Sequence, residues 1–174
     1  KRRAGIDPAH RHLLIMTGSM GCGPMETVTQ LLANLLPSSY DVTVACSSNE
    51  ALLRRMTRKF AGKPNIHIRG YIDDVSVMMD SADLFLTKPG GISTTEAMVK
   101  GLPMVLLNVV GGCETPNLRF FVSHGGAATA DTPEAVAELC RALLYDDARR
   151  LAMHDALVRM QKKPAAAAIC DCLE

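Results

Sequence analysis

Short apolar runs alternate along this chain with longer amphipathic ones, and that alternation limits the fold more than any other feature. Residues 12–17, 41–45, 66–69, 84–87, 104–108 and 127–130 read as strands. They are near-continuous in Leu, Ile, Val, Met and Ala, as strands buried on both faces are. The segments between them read as helices. Residues 25–36 carry Val28, Leu31, Leu32, Leu35 and Leu36 at helical spacing. Residues 50–60 follow a cap cluster, Ser47-Ser48-Asn49. Residues 93–100 end at Gly101 and Pro103, a helix stop. Residues 118–123, 133–145 and 147–161 complete the helical set. Strands alternating with helices predict an α/β domain: a doubly wound parallel sheet, Rossmann-like, with right-handed crossovers. In such sheets ligands bind outside the carboxyl ends of the strands, where the strand order reverses. The loops that follow the strands are therefore the informative ones.

Composition narrows the function. The 174 residues suffice for one domain with its own core. A formal net charge of +1 and no Trp give neither a basic surface nor a stacking platform for nucleic acid. No stretch reaches the length and apolarity of a membrane span, and no secretory signal is visible. Cys22, Cys46, Cys113, Cys140, Cys170 and Cys172 form no paired CxxC spacing. They read as reduced thiols in a cytosolic protein, with no metal site expected. Residues 1–11, beginning Lys1-Arg2-Arg3, read as a linker or truncated interdomain segment, residues 12–163 as the domain, and residues 164–174 as a tail.

Three loops carry the chemistry. The first strand runs into Gly18-Ser19-Met20-Gly21-Cys22-Gly23-Pro24 and then a helix. Glycines admit close backbone approach, and a helix N-terminus offers free N–H groups and partial positive charge to a phosphate. Lys-Ser/Thr does not follow the last glycine, so the loop is not a Walker A motif. Its glycines also break the dinucleotide fingerprint. A tight turn without a ligand fits it too. The fourth strand runs into Lys88-Pro89-Gly90-Gly91-Ile92-Ser93-Thr94-Thr95-Glu96. Gly90 and Gly91 let the backbone turn sharply, and Ser93 and Thr94 offer hydroxyls to a phosphate. Glu96, one turn past Ser93, suits the paired hydroxyls of a ribose. A capping box, Ser93-x-x-Glu96, fits the same spacing. After the fifth strand, Gly111-Gly112-Cys113-Glu114-Thr115-Pro116-Asn117 puts Glu114 and Asn117 where they can bind sugar hydroxyls or cap a helix.

Taken together, GSMGCGPMET (18–27), GYIDDVSVMMDSADLFLTKPGGISTTEAMVKGLPMVL (70–106) and GGCETPNLRFFVSHGGA (111–127) resemble the glycosyltransferase B superfamily. The likeness is to the branch of monogalactosyldiacylglycerol synthases, processive diacylglycerol glucosyltransferases and the cell-wall enzyme that adds N-acetylglucosamine to a lipid-linked muramyl peptide. It runs from about Leu13 to about Leu144.

The resemblance implies the C-terminal half of that two-domain fold, which holds a UDP-sugar donor. Position by position, Gly18, Ser19 and Gly21 match the first phosphate-side loop, and Ile72 the position whose backbone meets the uracil. Gly90, Gly91, Ser93 and Thr94 match the turn that receives the diphosphate, Glu96 the ribose acid, and Glu114 and Asn117 the loop that touches the donor sugar. Cys113 stands where relatives often have Gln, and Gly111 where they often have Pro. The implied reaction is hexosyl transfer to a lipid acceptor such as diacylglycerol. It needs no cofactor and no metal, in keeping with the absence of an Asp-x-Asp motif.

The acceptor site and catalytic base are expected on an N-terminal domain outside this chain, which alone is expected to be inactive. Peripheral association of the full-length protein with the inner face of the cell membrane also comes from the resemblance. His10, His12, His67, His124 and His154 read as structural or surface residues. Two other readings stand beside this one. The first is an enzyme like the UDP-N-acetylglucosamine 2-epimerases; the second is a non-catalytic nucleotide-sugar module.

Overall fold

The computed structural model describes residues 1–17, 24–107 and 114–161. Among these residues, six parallel strands form one sheet: β1 (Arg11–Met16), β2 (Tyr40–Ala45), β3 (Ile66–Arg69), β4 (Leu84–Thr87), β5 (Met104–Leu107) and β6 (Ala127–Ala130). Their order is β3-β2-β1-β4-β5-β6, so the winding reverses between β1 and β4. This is the doubly wound, Rossmann-like architecture that the alternating pattern predicts. Among the described residues, seven α-helices connect or follow the strands: α1 (Met25–Leu35), α2 (Glu50–Phe60), α3 (Val75–Ser81), α4 (Gly91–Val99), α5 (Glu114–Ser123), α6 (Pro133–Tyr145) and α7 (Asp147–Met160).

The strands read as continuous apolar runs because both faces are covered. Leu13 and Ile15 of β1, Val42 and Val44 of β2, and Leu84 and Leu86 of β4 pack into one core with α1, α2 and α6. The alternate residues Leu14, Phe85, Met104 and Leu106 pack into a second core with Met78 and Met79 of α3, Ala97 of α4 and Phe121 of α5. α7 spans both, with Met153 in the first core and Leu157 in the second.

The strands keep their expected positions to within a residue, except that Asn108, expected to end β5, lies outside the described residues. Helix starts differ more. α4 begins at Gly91 rather than Ser93, and α5 at Glu114 rather than Leu118. Pro116 is tolerated there because its missing N–H falls in the first turn, which lacks intrahelical acceptors anyway. α3 has one turn fewer than most helices, and Asp74 caps it by accepting from the Val77 N–H at 3.1 Å.

All five histidines have structural partners. His12 is wholly buried on β1, with Nε2 2.8 Å from Thr43 Oγ1 and Nδ1 3.0 Å from Ser81 Oγ. His10 and His67 flank the Asp41 carboxylate at 2.9 and 2.7 Å. His154 on α7 meets the Gly101 carbonyl at 2.7 Å. His124 lies just past the end of α5, not within it, and approaches the Phe120 carbonyl at 2.8 Å.

Candidate functional site

At the reversal between β1 and β4, Met16 pairs with Thr87, so the two strand ends open side by side. Thr17 and Thr87, the residues at those ends, are 2% and 1% exposed. Neither hydroxyl has a hydrogen-bond partner among the described residues. A buried hydroxyl without a partner is uncommon and costs about 1–3 kcal/mol. Gly18, Ser19 and Gly21 of the first loop lie outside the described residues.

From β4 the chain turns through Pro89 into α4. Gly90 is the N-cap residue, with extended backbone (φ −76°, ψ 140°) and no side chain capping the helix. The first N–H groups of α4, at Gly91, Ile92 and Ser93, are those a helix cannot satisfy internally. With the helix dipole they form a seat for an anion. Gly91 and Ile92 are exposed and Ser93 half-buried. Because the helix begins before Ser93, that residue is its third position, not its cap, and the capping-box reading of Ser93 and Glu96 fails. Thr94 is buried, and its Oγ1 donates to the Gly90 carbonyl at 2.8 Å, so its hydroxyl holds the turn from beneath.

Two residues of α5 fasten the same turn. Glu114 Oε1 accepts from Lys88 Nζ at 2.8 Å, and Asn117 Nδ2 donates to the Pro89 carbonyl at 3.0 Å. A Cβ at Gly90 would stand 3.7 Å from both Glu114 Oε1 and Lys88 Cε. The ion pair therefore passes directly over the helix start. Glu114 and Asn117 sit on the first turn of a helix, where the sequence suggested a loop. Cys113 and Gly111 lie outside the described residues.

The other expected residues are more dispersed. Glu96 is exposed on α4 and lines a pocket of about 360 Å³ with Val75, Ser76 and Met79 of α3. Ile72, half-buried against the second core, borders a wider cleft of about 760 Å³ on the β3 side, with Arg3, Arg69 and Tyr71. Tyr71 is 75% exposed. The structure thus gathers Gly90, Gly91, Ser93, Thr94, Glu114 and Asn117 around one helix start, and sets Glu96 and Ile72 in the two depressions beside α3.

Lys88 belongs to the central group, and sequence reasoning did not single it out. The signal was a lysine directly after a strand, two residues before a glycine pair. Among the described residues no group of three or more His, Cys, Asp or Glu side chains is arranged to hold a metal ion.

Comparison with known proteins supplies the family and the fold. The family model described as glycosyl transferases group 1 matches residues 11–146. The processive diacylglycerol beta-glucosyltransferase of Staphylococcus aureus (strain Newman) is 30% identical over 167 residues, covering 95% of this chain and 42% of that protein. The chain thus spans about two fifths of the length of the curated relatives it matches. Among solved structures, MurG of Acinetobacter baumannii superposes with a TM-score of 0.72 at 20% identity, covering 93% of this chain and 51% of the other. MnaA of S. aureus, solved with UDP, gives a TM-score of 0.70 at 18% identity, covering 85% and 41%. These two likenesses establish the fold. The family match extends from the first residue of β1 to the end of α6, and by it the chain belongs to the group 1 glycosyl transferases.

Proposed function

We propose that this chain is the donor-binding half of a hexosyltransferase, which seats a UDP-sugar across the carboxyl edge of the sheet. The observation that carries the reading is the uncapped N-terminus of α4 at the strand-order reversal, with Glu96 exposed in the second turn of that helix. The diphosphate rests on the N–H groups of Gly91, Ile92 and Ser93, and Glu96 accepts hydrogen bonds from the ribose hydroxyls. The Ile72 backbone meets the base, and the donor hexose lies toward Glu114 and Asn117.

Developing charge on the leaving UDP is then held by helix N–H groups and dipole, fixed before reaction and without a metal. By the resemblance alone, Gly18, Ser19 and Gly21 of the first glycine loop are assigned to the phosphates. The acceptor is a lipid such as diacylglycerol, a reading supported by the name of the S. aureus relative. The acceptor site and catalytic base belong to a partner domain, in keeping with the share of the relatives that this chain spans.

The test is an assay of these 174 residues with UDP-glucose, UDP-galactose and UDP-N-acetylglucosamine, with diacylglycerol vesicles present, beside calorimetric titration of each nucleotide. Binding without transfer is the expected outcome. Robust transfer by the chain alone overturns the division of labour, and epimerised UDP-N-acetylglucosamine points to the epimerase reading.

A further inference from the structure

Lys88 has the wrong charge for its position. A cation beside a helix N-terminus is unfavourable, because that end of the helix already carries partial positive charge. Yet Lys88 lies two residues before the N-cap of α4, and its side chain passes within 3.7 Å of the place where a Gly90 Cβ would stand. Glu114 offsets this through the 2.8 Å ion pair. That pair is partly open to solvent. The lysine side chain is 39% exposed and the glutamate 23%, a setting in which an ion pair contributes little net stability. Two features therefore converge on the strand-order reversal: an uncapped positive helix end and a cation whose ion pair is partly open to solvent. Next to them is the buried Thr87 hydroxyl, which has no partner among the described residues. An anion with more than one charge satisfies the helix end and the ammonium together, and a diphosphate has both the charge and the span.

We propose that Lys88 is an exchangeable counter-charge for the diphosphate of the donor: it pairs with Glu114 until a nucleoside diphosphate reaches the α4 N-terminus, then transfers its ammonium to the phosphate oxygens. This deepens the donor-domain reading and rests on it. Lys88 is then a leaving-group residue, because it stays with the diphosphate as the bond to the sugar breaks. Glu114 is the partner that the ammonium leaves when the diphosphate arrives. The exchange replaces a partly exposed ion pair with a charge-assisted bond to an anion of higher charge.

The experiment compares UDP binding by calorimetry with uridine binding by NMR shift titration, for the full 174-residue chain and three variants. Lys88→Met is expected to weaken UDP by about tenfold or more, as for loss of a hydrogen bond to a charged group. Its uridine binding is expected to stay within about twofold of the wild type. Lys88→Arg keeps the charge and is expected to keep most of the UDP affinity, which separates loss of charge from loss of fold. Glu114→Gln removes the carboxylate that competes with the phosphates for the ammonium and is expected to bind UDP at least as tightly as the wild type. A brace that only holds two loops together gives a different pattern: Lys88→Met and Glu114→Gln weaken UDP and uridine alike, and that result overturns the proposal. UDP binding by Lys88→Met equal to the wild type overturns it as well. A wild-type chain that is folded and binds neither ligand overturns the donor-domain reading itself.

Discussion

Thr94 Oγ1 donates to the Gly90 carbonyl at 2.8 Å, so the residue that sets the start of α4 is pinned from within the helix by the side chain four positions on. Thr94 is 1% exposed, and no side chain caps the helix from outside. Thr94→Val keeps the shape and removes the hydroxyl. It is predicted to lower stability by about 1 kcal/mol, the net worth of a typical hydrogen bond. UDP affinity is predicted to change by less than about threefold, under 1 kcal/mol. Urea denaturation and calorimetry on the same preparation check both halves.

Asn117 is expected from the resemblance to touch the donor sugar, and in the structure its amide Nδ2 donates to the Pro89 carbonyl at 3.0 Å. The two roles separate in a ligand without sugar. If Asn117 shapes the turn that seats the diphosphate, Asn117→Ala weakens UDP itself, by several-fold for a bond worth about 1 kcal/mol. If it serves the sugar alone, UDP affinity is unchanged and only the preference for UDP-hexoses over UDP falls. The first result is expected, because the amide is already committed to the Pro89 carbonyl.

Much of this architecture was legible in the sequence, and the parts that were not share a cause. The strands stood out because a parallel sheet covered on both faces leaves no polar residue to break runs such as Leu13-Leu14-Ile15 or Leu84-Phe85-Leu86. Helix starts were less legible. Ser93 is a better cap by composition than Gly90, but Gly90 takes the cap geometry and Ser93 joins the helix. Thr115-Pro116 looked like loop, although Pro is compatible with a first helical turn. The Lys88–Glu114 pair joins residues 26 apart, one after β4 and the other at the start of α5, and no local spacing reports such a contact. Gly90 and Gly91 marked the turn between β4 and α4 but not which side chains meet there.

His12 makes stability depend on pH. Burial, only partly opposed by its hydrogen bond to Ser81, lowers its pKa from 6.5 to about 4. The folded protein keeps this imidazole neutral in a range where the unfolded chain protonates it. The stability at stake is complete above pH 6.5, falls as pH drops from there toward 4, and falls no further below that. The displacement corresponds to about 3 kcal/mol. His12→Gln, which keeps an amide between Thr43 and Ser81, is predicted to lose less stability across that window than the wild type. Urea midpoints at both ends of the window check this.

The central claim is that the second turn of α4 recognises the ribose of a uridine nucleotide bound at the helix start. Calorimetric titration of UDP into the wild-type chain and Glu96→Ala tests it most directly. The account predicts measurable UDP binding that weakens by about tenfold or more in the variant, roughly 1.4 kcal/mol, with the fold unchanged by circular dichroism. Equal UDP affinity in the two folded proteins contradicts it.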